Sequence, residues 1–247
     1  MHKDNFSNVA VAYAKYRPAY PAGLVAEIIA LTKDRQLAWD CACGNGQMAT
    51  LLSPYFDEVF ASDISNKQLA QAIAEPKIRY VLEPAELSSL ANQSADLITI
   101  AQAFHWFKFN DFYAEVKRVL KPGGVIAAIG YGLLKINEPL DKIISRFYTE
   151  ILGPYWDAER RHVDNAYKDI PFPFNEVNMG KYCIHARWTV DQVLGYLGTW
   201  SAVQHYKSNT GINPLNLIEK EIRTIAGNTE MFTIEFPVFA RVGRWLP

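Results

Sequence analysis

The run Asp40-Cys41-Ala42-Cys43-Gly44-Asn45-Gly46-Gln47 places a carboxylate and a chain of small residues between an apolar stretch and the start of a helical pattern. Small side chains let a ligand approach the backbone, and the first amides of a helix offer donors to a carboxylate or phosphate. A second carboxylate, Asp63, closes the next apolar run, about 20 residues further on, the offset at which an acid accepts both hydroxyl hydrogens of a ribose. Asp63 also reads as a helix N-cap, because Ser65 and Asn66 follow, and one residue can do both. The chemistry indicated is nucleotide binding. A dinucleotide loop needs a small residue where Gln47 stands, which disfavours nicotinamide-dependent oxidoreduction.

Two more loops end apolar runs: Leu82-Glu83-Pro84-Ala85-Glu86 and Gln102-Ala103-Phe104-His105-Trp106-Phe107. His105 titrates near neutrality and so is a candidate general base. Its other reading is an aromatic-pocket residue that hydrogen-bonds substrate or backbone.

The elements that must position these loops are legible from periodicity. Pro21 begins a helix with Leu24, Val25, Ile28, Ile29 and Leu31 on one face. Strands are expected from Gln36 to Cys41, from Glu58 to Ala61 with its end at Ser62-Asp63, from Ile78 to Leu82 and from Ala95 to Ala101. Between the first two, Met48, Leu51, Leu52 and Tyr55 form the stripe of a helix packed on a sheet. Leu69, Ala72 and Ile73 predict another helix. Asp111 is expected to cap a helix carrying Phe112, Val116, Val119 and Leu120, stopped by Pro122-Gly123-Gly124 before a fifth strand from Val125 to Ile129. Right-handed crossovers then require a parallel sheet covered on both faces, with ligands beyond the carboxyl ends of its strands.

Residues 131–178 lose the pattern and read as a mainly helical insertion or lid. A sixth strand is expected near Tyr182 to Arg187. Asn213-Pro214 predicts a helix with Leu215, Ile218, Ile222 and Ile225 on one face, ended by Gly227. Phe232, Ile234, Phe236, Val238, Ala240 and Val242 alternate as a strand, in which Pro237 demands a bulge or an edge.

The alternate positions Ala42, Gly44 and Gly46 resemble the E/D-x-G-x-G-x-G loop of class I S-adenosylmethionine-dependent methyltransferases, with alanine replacing the first glycine. Asp63, the two later loops and Lys121-Pro122-Gly123-Gly124 extend the resemblance over the first half of the chain. Tyr13-Ala14-Lys15-Tyr16-Arg17-Pro18-Ala19-Tyr20-Pro21, His105-Trp106-Phe107 and Thr199-Trp200-Ser201-Ala202 narrow it. Together they resemble the trans-aconitate methyltransferase and related small-molecule methyltransferase group, over nearly the full length.

The resemblance implies a single Rossmann-like methyltransferase domain over residues 1–247, α/β and doubly wound. Its sheet would be mostly parallel and seven-stranded, with the last strand antiparallel and the insertion at 131–178 within it. It implies S-adenosyl-L-methionine as cofactor, held by Tyr13, Arg17, Asp40, Ala42, Gly44, Asp63, Ile64, Ala85, Glu86 and Gln102. Arg17 and Tyr13 would serve the methionine end, or else belong to an N-terminal helix held by surface ion pairs. Ala85 and Glu86 would lie at the adenine edge and Gln102 near the methionine moiety. Trp106 and Trp200 would line the acceptor pocket, while Trp188, Phe172 and Phe174 read as core. A carboxylate acceptor is already anionic at pH 7 and needs no base, which favours the pocket reading of His105. The expected reaction is methyl transfer to a small molecule, O-methylation of a carboxylate leading. C- or N-methylation of a quinone-like metabolite and a non-catalytic cofactor-binding regulator are the rivals.

The composition agrees with a globular enzyme. The 247 residues are 49% hydrophobic and 21% charged, and 25 basic against 26 acidic side chains leave a net charge of −1. Such a balance creates no overall field for nucleic acid or anionic lipid. No apolar run approaches the roughly 18 to 20 residues of a membrane span, and the N-terminus carries no secretory signal pattern, so a cytoplasmic protein is expected. Cys41 and Cys43 are too close for an ordinary disulfide and too isolated for a metal cluster, and Cys183 is remote. Reduced thiols and no metal are expected.

Overall fold

The computed structural model describes residues 18–246. Helix α1 (Ala22–Ala30) follows Pro21, whose φ of −63° is set by its ring, and buries Leu24, Val25, Ile28 and Ile29. The sheet core comes next: β1 (Leu37–Cys41), α2 (Gln47–Leu52), β2 (Glu58–Asp63), α3 (Asn66–Leu69), β3 (Ile78–Leu82), β4 (Ala95–Ala101), α4 (Phe109–Val119) and β5 (Leu120–Tyr131). Residues beyond it form α5 (Glu138–Arg146), a π turn at Phe147–Ile151, a 3-10 turn at Gly153–Tyr155, α6 (Arg160–Asp164) and β6 (Asn175–Val177). The chain closes with β7 (Tyr182–Trp188), α7 (Val190–Leu197), α8 (Ser201–Thr210), a 3-10 turn at Pro214–Leu217, α9 (Glu219–Ala226) and β8 (Phe232–Arg244).

The strand order is β3-β2-β1-β4-β5-β8-β6, with β7 also paired to β8. The first five strands are mutually parallel. Strand β8 enters antiparallel beside β5. Chain order reverses between β1 and β4, so the crevice beyond their carboxyl ends is the topological switch point. Both faces of the sheet are covered, which is why its strands are almost continuously apolar. Along β5, Val125, Ala127 and Ile129 join the core on one face and Ile126 and Ala128 the core on the other. Trp39 of β1 packs with Phe60, Ile98, Phe112 and Val116 on that second face, its indole donating to the Ser62 hydroxyl at 2.9 Å.

The doubly wound, mostly parallel α/β fold stands as expected, with corrections in detail. The sheet has eight strands rather than seven. The extra one, β6, pairs only with residues 242–244 of β8, and β7 pairs with 232–238 on the same edge. Three residues between turns are too few to show an alternation in sequence. Tyr55 falls outside α2 and is 48% exposed. Helix α3 ends at Leu69, short of Ala72 and Ile73, and leaves Ile73 exposed. Lys108, not Asp111, occupies the N-cap of α4, and Asp111 lies in its first turn, where a carboxylate complements the helix dipole. Strand β5 starts earlier than expected and absorbs residues 121–124 as a register shift against β4.

The predicted helix after Asn213 is split: Ile218, fully buried, takes φ −125° between the 3-10 turn and α9. Pro237 causes no bulge against β7; its carbonyl accepts from Gly132 N–H, so the donor it lacks faces the end of β5. Helices α7 and α8 have no counterpart among the sequence expectations, although Thr189 and Gln192 form a capping box at the start of α7. Among the described residues no helix is long and apolar enough to cross a membrane, and no group of three His, Cys, Asp or Glu could hold a metal ion.

The segment after β3 is tied down by charge. Glu115 of α4, 5% exposed, accepts from the amide and hydroxyl of Ser88 and from Arg118. Arg118 also donates to the carbonyls of Ser88 and Leu90. Burial pushes the Glu115 carboxyl up, but Arg118 and Ser88 outweigh it and hold the group below its ordinary value. Removing one partner of a buried pair strands the other. Glu115→Ala is therefore expected to lose about 3 kcal/mol in urea unfolding and to speed amide exchange between residues 84 and 94; slow exchange retained there would refute the anchoring.

Candidate active site at the tips of the parallel strands

The β1 loop owes its small residues to backbone geometry. Ala42, Gly44 and Gly46 have φ of 54°, 56° and 82°, the left-handed region at alternate positions. Gly46 is the N-cap of α2, and a Cβ there would overlap the Tyr80 ring. Ala42 bears a left-handed conformation that costs a non-glycine residue roughly 1 to 2 kcal/mol.

Asp40, expected among the cofactor-binding residues, is instead fully buried beneath that loop. One oxygen accepts from the Ala49 amide of α2 and the other from the Thr99 hydroxyl of β4, both at 2.9 Å. Burial raises its carboxyl to about 7, against the pull of the Thr99 and Ala49 bonds and with some help from Asp63. Its geometry is that of a residue positioning the loop. Thr99 was not singled out from sequence, because an isolated threonine in an apolar strand gives no signal.

Asp63 stands at the end of β2 and bridges two loops, accepting from Gly44 N and Ser65 N, each at 2.8 Å. The N-cap of α3 is Ser65, whose hydroxyl accepts from Gln68 N. Capping thus falls to Ser65. A carboxylate offers about four acceptor positions, so one side chain can serve several donors at this strand tip. Beside it Ile64 is 40% exposed, an apolar side chain at the strand tip. Ala85 is buried, and Glu86 accepts from the Lys108 amide at 3.0 Å. Gln102 takes φ 58° immediately after β4 and is held there by Ile129 and Tyr131: its amide donates to the Ile129 carbonyl and its side chain to that of Tyr131. Tyr13 and Arg17 lie outside the described residues.

The turn after β4, a 3-10 turn at Phe104–Trp106, buries His105 against Trp106 at 4.6 Å between ring centroids. Its Nδ1 is 3.3 Å from the Tyr167 hydroxyl. Burial, then the positive fields of Arg160 and His162, lowers its pKa to about 3, so the imidazole is neutral across the physiological range. Tyr167 and Ala166, both left-handed at 60° and 52°, bring the segment after α6 down onto this turn. Trp200 lies in a separate aromatic cluster, stacked on Phe147 and close to Tyr148, Trp156 and Tyr196. Arg160 lies over the Trp156 and Tyr148 rings. None of Tyr148, Trp156, Arg160 and Tyr167 stood out in sequence, since the insertion carries no motif.

A methyltransferase domain family matches residues 39–128, from β1 into β5. A protein of Dictyostelium discoideum named as a methyltransferase is 31% identical over 244 residues, 96% of this chain and 93% of its own length. The chain belongs to the S-adenosylmethionine-dependent methyltransferase family. A solved structure from Anaeromyxobacter dehalogenans, named as a type II methyltransferase, covers 94% of this methyltransferase and 99% of its own chain at 39% identity, with a TM-score of 0.86. A Saccharomyces cerevisiae protein named as an S-adenosylmethionine-dependent methyltransferase is 35% identical over 124 residues, 47% of this chain and 43% of its own. The family match spans the strand tips described above.

Two outcomes test this geometry. Ala42→Gly should raise stability by about 0.5 to 1 kcal/mol in urea unfolding, because glycine adopts the left-handed backbone without steric cost; an unchanged midpoint would show the loop unstrained. A histidine whose folded pKa is lowered contributes stability that is complete above about pH 6.5 and is lost as pH falls toward 3. Between pH 6.5 and 5 the wild type should therefore lose about 2 kcal/mol more than His105→Gln. Parallel losses would mean that His105 takes up protons freely in the folded state.

Proposed function

We propose that this methyltransferase transfers the methyl group of S-adenosylmethionine to a carboxylate oxygen of a small-molecule acceptor, as the resemblance to the trans-aconitate methyltransferase group implies. The observation that carries this reading is His105. Held neutral with a pKa of about 3, it is a poor recipient for a proton at neutral pH, and a carboxylate is an acceptor that has none to give up. Methylation of an acidic carbon or of an ammonium nitrogen needs proton removal, and the turn after β4 offers no better group than His105 among its own side chains.

The strand tips fit the cofactor. Asp63 combines a carboxylate suited to a vicinal diol with the neighbouring apolar Ile64, and the Gly44 backbone approaches without a side chain. When bound, S-adenosylmethionine supplies a methyl on a positively charged sulfur that is already a good leaving group. In our assignment Asp63 holds the ribose hydroxyls. Ile64, Ala85 and Glu86 flank the adenine, while Ala42, Gly44, Gln102, Tyr13 and Arg17 serve the methionine end. Asp40 acts through the loop. The segment 131–178 forms a lid that chooses the acceptor, with Trp106 and Trp200 as pocket walls and His105 as a neutral hydrogen-bonding group. Orientation and exclusion of water are then the protein's main contributions. We place the protein in the cytoplasm, acting on a metabolite and not on nucleic acid.

S-adenosylhomocysteine should raise the melting temperature while NAD does not, since a ligand that binds only the folded state stabilises it by mass action. Asp63→Ala should weaken that binding tenfold or more. Screening metabolite acids with labelled methyl donor should yield methyl esters by mass. Stabilisation by NAD alone, or a product methylated on carbon or nitrogen, would overturn the reading.

A further inference from the structure

The lid contains a guanidinium with unspent donors. Arg160 opens α6, which packs against the Phe104–Trp106 turn at the carboxyl end of β4. Its Nε donates to the Tyr148 hydroxyl at 2.8 Å. Asp164, half-exposed, sits 3.5 Å from the same nitrogen and accepts from that hydroxyl. Its Cζ lies 4.9 Å from the Trp156 ring centroid and 5.4 Å from that of Tyr148. Trp156 in turn contacts Trp200 at 5.6 Å. The Nη1 and Nη2 groups make no hydrogen bond among the described residues, and the side chain is only 23% exposed.

The neighbours orient the guanidinium without consuming it. The Nε bond and the two rings fix its plane, and Asp164 meets the Nε edge, leaving the Nη edge as a fork. Arg241 shows the contrast: its nitrogens are spent on Glu176 and on the carbonyls of Tyr167 and Ile170. A planar fork of N–H donors matches a carboxylate in two parallel bonds, and neighbouring aromatic faces strengthen such a pair by excluding water. Because α6 packs on the turn after β4, Arg160 and His105 belong to neighbouring elements at the same end of the sheet.

We propose that Arg160 is the specificity-determining residue that receives a carboxylate of the methyl acceptor through Nη1 and Nη2, between the Trp156 and Tyr148 rings and the turn carrying His105. This assignment rests on the methyltransferase reading and adds to it the residue that selects an anion over its neutral analogue.

The test is a binding titration that needs no turnover. With S-adenosylhomocysteine present, tryptophan fluorescence is followed while succinate, citrate, benzoate and cinnamate are added, each matched with its amide. Wild type should bind at least one acid tenfold or more tighter than the matching amide. Arg160→Met, which keeps the stem over the rings, should remove that preference, and Arg160→Lys should restore part of it. S-adenosylhomocysteine affinity should stay at the wild-type value in both, and both should unfold cooperatively even if loss of the Tyr148 bond lowers the melting temperature of Arg160→Met by a few degrees. An acid preference that survives in Arg160→Met, or no preference for any acid in the wild type, overturns the assignment while leaving methyl transfer intact. Loss of S-adenosylhomocysteine affinity in Arg160→Met would give the fork to the cofactor carboxylate instead. Failure of the wild type to bind S-adenosylhomocysteine would remove the methyltransferase reading and this one with it.

Discussion

One buried carboxylate ties the site together. Asp40 lies at the switch point of the sheet and reaches the amide of Ala49 in α2 with one oxygen and the hydroxyl of Thr99 in β4 with the other. The β1 loop starts two residues after it, at Ala42, so the path of that loop follows from where these bonds hold the strand end and the helix start. Full burial makes the arrangement costly for the charged form, which is why its pKa approaches 7, and two directed hydrogen bonds offset the desolvation. Asp63 repeats the device one strand over, with its oxygens on Gly44 and Ser65. Two carboxylates thus fix the backbone that a cofactor would approach.

Most of the backbone strain in the described residues lies at the same end of the molecule, Gln93 ahead of β4 excepted. Ala42 and Gln102, both non-glycine and left-handed, follow β1 and β4, and Ala166 with Tyr167 repeats the feature where the segment after α6 meets the His105 turn. Each such residue costs on the order of 1 to 3 kcal/mol and persists only where its surroundings over-determine it. The surroundings are visible here. Gln102 is bonded through main chain and side chain to β5. Tyr167 is fully buried, with its amide on the His162 carbonyl and its own carbonyl accepting from Arg241. The sheet and the Arg241–Glu176 pair hold the strained segments in place.

Beyond β5 the chain packs by aromatic rings more than by regular structure. Phe147, Tyr148, Trp156, Tyr196 and Trp200 interlock across the π turn, the 3-10 turn, α7 and α8. Rings of this size bury much area per residue and hold irregular backbone that ladder bonds alone would leave loose. Beside those rings Arg160 lies over Trp156 and Tyr148, in the helix that packs on the turn carrying His105.

The sequence by itself determined the parallel core and the identity of its loops. The bounds of β3 and β4 coincide with the runs expected from sequence; β4 is almost wholly apolar because it is buried on both faces, while β3, at the sheet edge, carries the exposed Arg79 among its apolar residues. The alternate small residues 42, 44 and 46 are legible for a similar reason: left-handed backbone excludes most side chains locally, whatever surrounds it. What a polar residue does depends instead on partners far along the chain. Only the tertiary structure decided that Asp40 turns inward to Thr99, that Ser65 rather than Asp63 caps α3, and that His105 is neutral. It alone brought Arg160 beside Trp156 and the turn after β4. Those outcomes rest on burial and on contacts between residues dozens of positions apart, and neither leaves a periodic trace in the order of the amino acids.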